Sequence, residues 1–382
     1  MLFGTSKEII KKIKEVELLL KDEKINDVRV AMCNYLGNLY SALEVIKGEN
    51  IKVSKRKIFG NLDNYQMFIK KSDYINTRFY DNIVFYQDFH QDLFYEVLKG
   101  IENIFSSTVC GREYCDDSDI FTVDDFWEIL KDFLKKLNLE DIYNELVNDK
   151  RIFKMTKGDD YNNFLGLNLH NPITGESNIL IDDFKYDLSS LFILVHEIGH
   201  YYDLEEFNSR DKINNYIDFI YKSHYQEVIS LLFEKLFLTY LLENNIKKEC
   251  TIDLLIDNKI INHSRLYSAY IFSLLDEGYI TKGQFKNISY DKLLFSIKDK
   301  IEEVDTELLG LDLCDDFIYT YGDYISLFLK DEIEKEGFNG RLMKSFNEIR
   351  YLEFNPDFIT EFGLLPKTYK KLYCQELDKF IK

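Results

Sequence analysis

Proline is nearly absent from this chain, with three residues in 382, and glycine is sparse at 17. An all-β fold uses both residue types in its turns, so their scarcity excludes a strand-rich architecture and favours long helices. Histidine is equally scarce, six in all. Two of them inside one short pattern therefore carry weight. Long apolar runs are missing, and none approaches the ~20 residues of a membrane span. The opening residues, Met1 to Glu8, lack the basic-then-apolar order of a signal peptide. The six cysteines, Cys33, Cys110, Cys115, Cys250, Cys314 and Cys374, are scattered. Only Cys110 and Cys115 lie close, with no second pair or neighbouring histidine to complete a zinc ribbon. Free thiols in a reducing, cytoplasmic compartment are the expectation. Basic charge is also short, with 48 Lys and Arg against 67 Asp and Glu and a net charge of -19. Such a field repels nucleic acid and anionic membranes and favours basic or neutral substrates. Most of the charge is expected on solvated helix faces.

What is present is a globular composition, 46% hydrophobic and 15% aromatic. The length allows two domains or one large one. Apolar spacing predicts helices over 6–23, with Ser6 as N-cap, and over 27–47, closed by Gly48. Residues 50–85 are polar and aromatic and are expected to include a further helix. The helical period returns over 87–105, and 106–119 reads as a loop. A helix opened by Thr122 or Asp124 runs through Leu137, and another spans 140–147. The character changes at Arg151: residues 151–156 and 164–170 alternate like strands, 171–177 are rich in turn residues, and 178–182 form a second strand. Together they predict a β-hairpin. Asp187 is a suitable N-cap for a helix over 188–205. Further helices are expected over 212–222, 225–244, 262–276, 290–304, 316–335, 340–350 and 366–380. The fold class is therefore mainly α, a multi-helix body with a small β-hairpin beside helix 188–205. Residues 1–150 form a helical wall and 151–382 the functional region, in one continuous body.

Helix 188–205 carries His196-Glu197-Ile198-Gly199-His200. Residues four apart share a helix face, so His196 and His200 present two imidazoles to one metal ion. Glu197 lies close enough to handle the proton of an attacking water. This is the H-E-x-x-H zinc-peptidase arrangement. The bland alternative is a buried helix that happens to carry two histidines. Catalytic zinc takes three protein ligands and keeps one open position. Glu227, Glu234, His224 and Asp203 are candidates for the third. Glu227 and Glu234 are seven apart and share a face, with Ser230 between them in an otherwise apolar run. Two carboxylates on the buried side of such a helix need charge partners. Glu227 is assigned as the ligand and Glu234 as acceptor of the free N–H of a ligating histidine, with Asp203 another supporting carboxylate. Solvated glutamates on an amphipathic helix are the alternative. An exposed strand edge beside the metal would hold an extended peptide by main-chain hydrogen bonds, which makes Gly166 and Leu167 candidate substrate contacts. A purely structural sheet is the equal alternative. His224, one turn before Glu227, is a further candidate contact.

His-Glu-Ile-Gly-His followed by Glu227-x-x-Ser230-x-x-x-Glu234 resembles the zinc metallopeptidases of the thimet oligopeptidase and oligoendopeptidase F family. Phe317-Ile-Tyr-Thr-Tyr-Gly-Asp-Tyr324 looks like that family's tyrosine-rich segment. The resemblance covers roughly residues 160–380 and is that of a shortened member. It implies one Zn2+ per chain on His196, His200 and Glu227, and a gluzincin-type endopeptidase that cleaves oligopeptides with Glu197 as general base. It also implies Tyr321, with Tyr319 beside it, as oxyanion donor. Three departures stand out. Only about 190 residues precede the zinc helix. Leu311-Asp-Leu-Cys-Asp-Asp316 stands shortly before Tyr319, where the family commonly has a histidine, and Asp203 stands where it often has another. Two rival readings remain: a protease for one specific protein, and a catalytically silent peptide-binding pseudo-enzyme. The intact Glu197 argues against the latter.

Overall fold

The computed structural model describes residues 3–22, 26–48, 51, 58, 120–155, 165–171, 174–182, 184–208, 225–276, 306–349 and 356–381. The helices expected over 87–105, 212–222 and 290–304, the loop 106–119 and nearly all of 50–85 lie outside them. The architecture is mainly α with one small sheet. The chain divides into two compact units, one of Met1–Ile75 with Asp116–Tyr221, the other of Asn76–Cys115 with Lys222–Lys382.

The first unit opens with α1 (Ser6–Asp22) and α2 (Asn26–Lys47). Their apolar stripes, Ile9, Ile13 and Val16 against Met32, Leu36 and Leu39, form a core that continues onto Phe153, Leu169 and Leu180 of the sheet. The cap of α1 is Thr5 rather than Ser6. Glu8 accepts from the Thr5 backbone N–H at 2.9 Å, one half of a capping box, and also from the Thr5 hydroxyl. Helix α3 (Val123–Lys136) is capped by Thr122, whose hydroxyl accepts from Asp125 N–H at 3.1 Å. Helix α4 (Glu140–Asn148) follows.

The sheet has three strands, β1 (Ile152–Lys154), β2 (Gly166–His170) and β3 (Ser177–Ile181), in the order β1-β3-β2. β2 and β3 form the expected antiparallel hairpin, with Gly166 opposite Ile181 and His170 opposite Ser177. β1 adds to the other side of β3 in parallel, with Ile152 opposite Ile179. Every residue of the central β3 is buried. Helix α5 (Leu188–Asn208) packs on β2 and β3. Its start is fixed by Asp187, whose carboxylate accepts from Ser190 N–H at 2.7 Å. Leu191, Leu194, Val195 and Ile198 are fully buried, so rotation of α5 about its axis would expose apolar surface.

The second unit contains α6 (Val228–Glu243), α7 (Lys248–Asp276), α8 (Thr306–Glu336), a 3-10 turn (Gly337–Asn339), α9 (Arg341–Ile349), α10 (Pro356–Glu361) and α11 (Pro366–Ile381). Helices α7 and α8 begin well before the positions their apolar spacing suggests. α6 is its centre, buried from Val228 through Leu242. It packs against α7 and α8, and α8 in turn packs against α7, α9 and α11.

Cys33 and Cys374 are free, but Cys250 is disulfide-bonded, which corrects the expectation of free thiols throughout. Spacing along the sequence does not report approach in space. Among the described residues no helix is long and apolar enough to cross a membrane.

Candidate metal centre

With its apolar side fixed on the sheet, α5 leaves His196 and His200 half-buried. Their Nε2 atoms lie 3.2 Å apart, with ring centroids at 4.9 Å and planes inclined at 79°. Two imidazole nitrogens on one tetrahedral zinc, each at 2.0–2.1 Å from it, are about 3.3–3.4 Å apart. The pair thus already has the spacing of a two-imidazole chelate.

Glu197, between them in sequence, is only 5% exposed. Its neighbour across the interface with the sheet is Gly166, at the start of β2. A Cβ at Gly166 would lie 2.6 Å from Glu197 Oε1 and 2.9 Å from both Glu197 Cγ and Ile193 Cγ2. Only glycine allows the strand this close to the carboxylate. Two residues on, Asn168 Nδ2 donates to the Glu197 carbonyl at 3.3 Å, tying strand and helix together.

Glu227 precedes the first residue of α6 rather than lying within the helix, with φ −93° and ψ 0°. The Ser230 hydroxyl is 2.8 Å from Glu227 Oε2 and 3.0 Å from its carbonyl oxygen. Gly322 of α8 packs against Glu227. A Cβ there would meet Leu231 Cδ1 at 2.7 Å, Glu227 Cβ at 2.9 Å and the Glu227 carbonyl carbon at 3.0 Å. Tyr319 lies three residues before Gly322, on the same side of α8. It is half-buried, with the Arg265 guanidinium 3.6 Å from its ring centroid. Tyr321 is 1% exposed.

His196, His200 and Glu227 each offer one ligand atom, and these atoms all lie within 4.8 Å of one another. The three residues picked out by motif spacing are therefore a possible metal-binding group. The donor set, two imidazoles and a carboxylate with supporting hydrogen bonds, suits zinc. Of the other candidates, Glu234 is buried and accepts from Asn258 Nδ2 at 2.8 Å. Asp203 is buried on α5, one turn past His200. Leu167 packs against the α1–α2 core. His224 lies outside the described residues. Reasoning from sequence left Gly166 and Gly322 without a spacing role, and gave none to Ser230 or Arg265. The i, i+3 relation of Glu227 and Ser230 was the available signal for the serine. The close approaches at the glycines have no local signal.

An imidazole pair one helical turn apart, a buried glutamate between them and a third carboxylate define a candidate metal centre in a mainly helical body. The fold has a likeness among solved structures. Over 98% of its length the chain matches 63% of a crystal structure named "putative peptidase" from Chlamydophila abortus, with a TM-score of 0.51 and 10% identity. A structure named "putative oligoendopeptidase F" from Bacillus anthracis str. Ames matches over 91% of this chain and 63% of its own, with a TM-score of 0.48 and 12% identity. The chain thus spans less than two thirds of the length of either structure. No protein-family model matches it, and no curated protein does.

Proposed function

We propose that the protein is a zinc-dependent endopeptidase of the gluzincin type that hydrolyses oligopeptides, with His196, His200 and Glu227 holding one zinc ion per chain. The observation that carries this reading is the grouping of those three ligand atoms, with the Nε2 pair at 3.2 Å. When bound, zinc supplies Lewis-acid polarisation of the scissile carbonyl and a lowered pKa for the attacking water.

The chain's own residues do the rest. Glu197 takes the proton of the attacking water and passes it to the leaving amine. Its position is set by α5 on one side and by the Gly166 backbone on the other. Ser230 orients the Glu227 carboxylate by its hydrogen bond. Glu234 and Asp203 serve as acceptors for the second N–H of the ligating imidazoles. Tyr321 and Tyr319 are the oxyanion donors, and one such donor is worth ~3 kcal/mol of barrier. Arg265 steadies the Tyr319 ring by its stacked guanidinium. β2 pairs with β3 along one edge. Its other edge, at Gly166 and Leu167, receives an extended peptide by main-chain hydrogen bonds, with His224 as a further contact. The net charge of -19 favours neutral or basic peptides.

A quenched-fluorescence peptide library tests this reading with the native chain, the chelated chain and Glu197→Gln. Cleavage by the native chain alone, restored to the chelated chain by zinc, is expected. Metal bound without cleavage by any form would instead favour a peptide-binding protein. Cleavage that survives in Glu197→Gln would overturn the assigned chemistry.

A further inference from the structure

The second unit buries five ionisable side chains that the proposed chemistry does not use. Lys235 of α6, Lys259 of α7, Asp323 and Lys330 of α8, and Glu376 of α11 are each at most 7% exposed. Lys235 Nζ lies 2.5 Å from Asp323 Oδ1, and Asn262 Nδ2 donates to the same oxygen at 2.9 Å. The Tyr369 hydroxyl donates to Asp323 Oδ2. Lys259 and Lys330 approach Glu376 at 2.5 Å and 3.2 Å, and Lys259 also lies 4.3 Å from the Tyr373 ring centroid. One carboxylate, Asp323, thus joins α6, α7, α8 and α11. Burial alone would raise its pKa, yet the ammonium groups of Lys235 and Lys259 hold it below the ordinary range.

A gain in stability does not by itself call for such a cluster. Desolvating buried ions costs several kcal/mol each, and well-packed apolar residues often serve a core equally well. What an apolar core does not supply is register. α6 is buried from Val228 to Leu242 and offers α8 a nearly uniform apolar surface, and apolar burial is non-directional. A helix that slips by one residue moves ~1.5 Å and turns ~100°. Gly322 has no such latitude, because it faces Leu231 and Glu227 at less than side-chain distance. Slippage either way would bring Tyr321 or Asp323 onto Glu227. Leu231 and Lys235 lie four apart on one face of α6. The first touches Gly322 and the second pairs with the next residue, Asp323.

We propose that the Lys235–Asp323 pair is a register lock, in which a buried ion pair fixes the height and rotation of α8 on α6 and, through Gly322, positions the Glu227 carboxylate. Lys235 and Asp323 are positioning residues. The proposal rests on the reading of Glu227 as a metal ligand for its consequence, but not for the register itself.

Two readouts on the full chain separate these parts. In methyl-labelled protein, an NOE between a Leu231 methyl and a Gly322 Hα reports register without any metal. Zinc affinity, measured by chelator competition, reports the ligand. Asp323→Asn leaves Lys235 without its charge partner. Lys235→Met with Asp323→Asn removes both charges at similar volume and carries the test if the single variant fails to fold. In the double variant we expect a native-like melting midpoint, a weakened or divided NOE, and zinc affinity reduced about tenfold or more. An undiminished NOE in the folded double variant overturns the lock, whatever the affinity does. If Glu227→Gln leaves zinc affinity unchanged, the ligand reading fails and the NOE alone decides the lock.

Discussion

Gly166→Ala is a small perturbation with a calculable effect on the proposed general base. The added methyl would sit 2.6 Å from Glu197 Oε1 and 2.9 Å from Glu197 Cγ and Ile193 Cγ2. Ordinary contacts begin near 3.4 Å, so the carboxylate oxygen must give way by about 0.8 Å and the other two atoms by about 0.5 Å. The strand cannot retreat freely, because Gly166 is paired with Ile181 and Asn168 is tied to the Glu197 carbonyl. α5 is likewise held in place, because Leu191, Leu194, Val195 and Ile198 are fully buried. The Glu197 side chain therefore moves. Overpacking of this kind costs ~1–3 kcal/mol, partly offset by the ~0.5–1 kcal/mol that alanine gains over glycine in a strand. The folded state survives. A displacement near 1 Å at a reacting group is worth about 100-fold in rate, so kcat for a quenched peptide should fall by roughly 10- to 100-fold. KM and zinc content should change little, because the clash falls on Glu197 and Ile193 and not on the histidines. Steady-state kinetics with metal analysis on the same preparation would test this. A Gly166→Ala protein with native kcat would refute the placement of Glu197 as the base confined by this strand.

Three further outcomes follow from the packing and the charges. Ser230→Ala removes the hydroxyl 2.8 Å from Glu227 Oε2, and chelator competition should show zinc bound about 10- to 100-fold more weakly. Gly322→Ala gains up to ~1 kcal/mol of helix propensity but drives its methyl into the Glu227 backbone. Thermal melting should therefore show net destabilisation, accompanied by weaker zinc binding. The third concerns acid stability. Burial alone would raise the pKa of Glu376, but the ammonium groups of Lys259, Lys330 and Lys235 hold it down, from an ordinary 4.5 to about 2. Because the folded value is the lower one, its stabilisation is complete above about pH 4.5 and is lost as the pH falls toward about 2. That difference corresponds to about 3 kcal/mol. Urea unfolding between these limits should become easier with acid in the native chain, and Glu376→Gln should flatten that slope while lowering stability at neutral pH.

The parts of this protein that were legible in sequence are those governed by local periodicity and local caps. Asp187 and the apolar spacing of Leu191, Val195 and Ile198 located α5 and turned His196 and His200 to one face. The alternation of 164–170 and 178–182 located the hairpin, and the E-x-x-S spacing drew attention to Glu227. Pairing and close approach were not legible. β1 was readable as extended, but its parallel partner β3 lies across an intervening strand, and no turn specifies that register. The starts of α7 and α8 were placed too late, although Ile252, Leu255 and Ile256 of α7 already recur at helical spacing and are buried. Gly166 was legible only as a candidate substrate contact and Gly322 not at all, since the atoms they admit, Glu197 and Glu227, come from elements distant in sequence. Asp323 and Lys235 likewise carry no local signal, because the buried pair they form joins positions 88 residues apart.

The central claim is that two imidazoles of α5 and one carboxylate before α6 hold a single zinc ion. X-ray absorption at the zinc edge, on protein loaded with one equivalent, tests it most directly. The expected shell has two imidazole nitrogens at about 2.0–2.1 Å and carboxylate oxygen at about 2.0–2.2 Å, with one imidazole lost in His196→Ala and the carboxylate lost in Glu227→Ala. A shell dominated by thiolate sulfur, or one left unchanged by both substitutions, would contradict it.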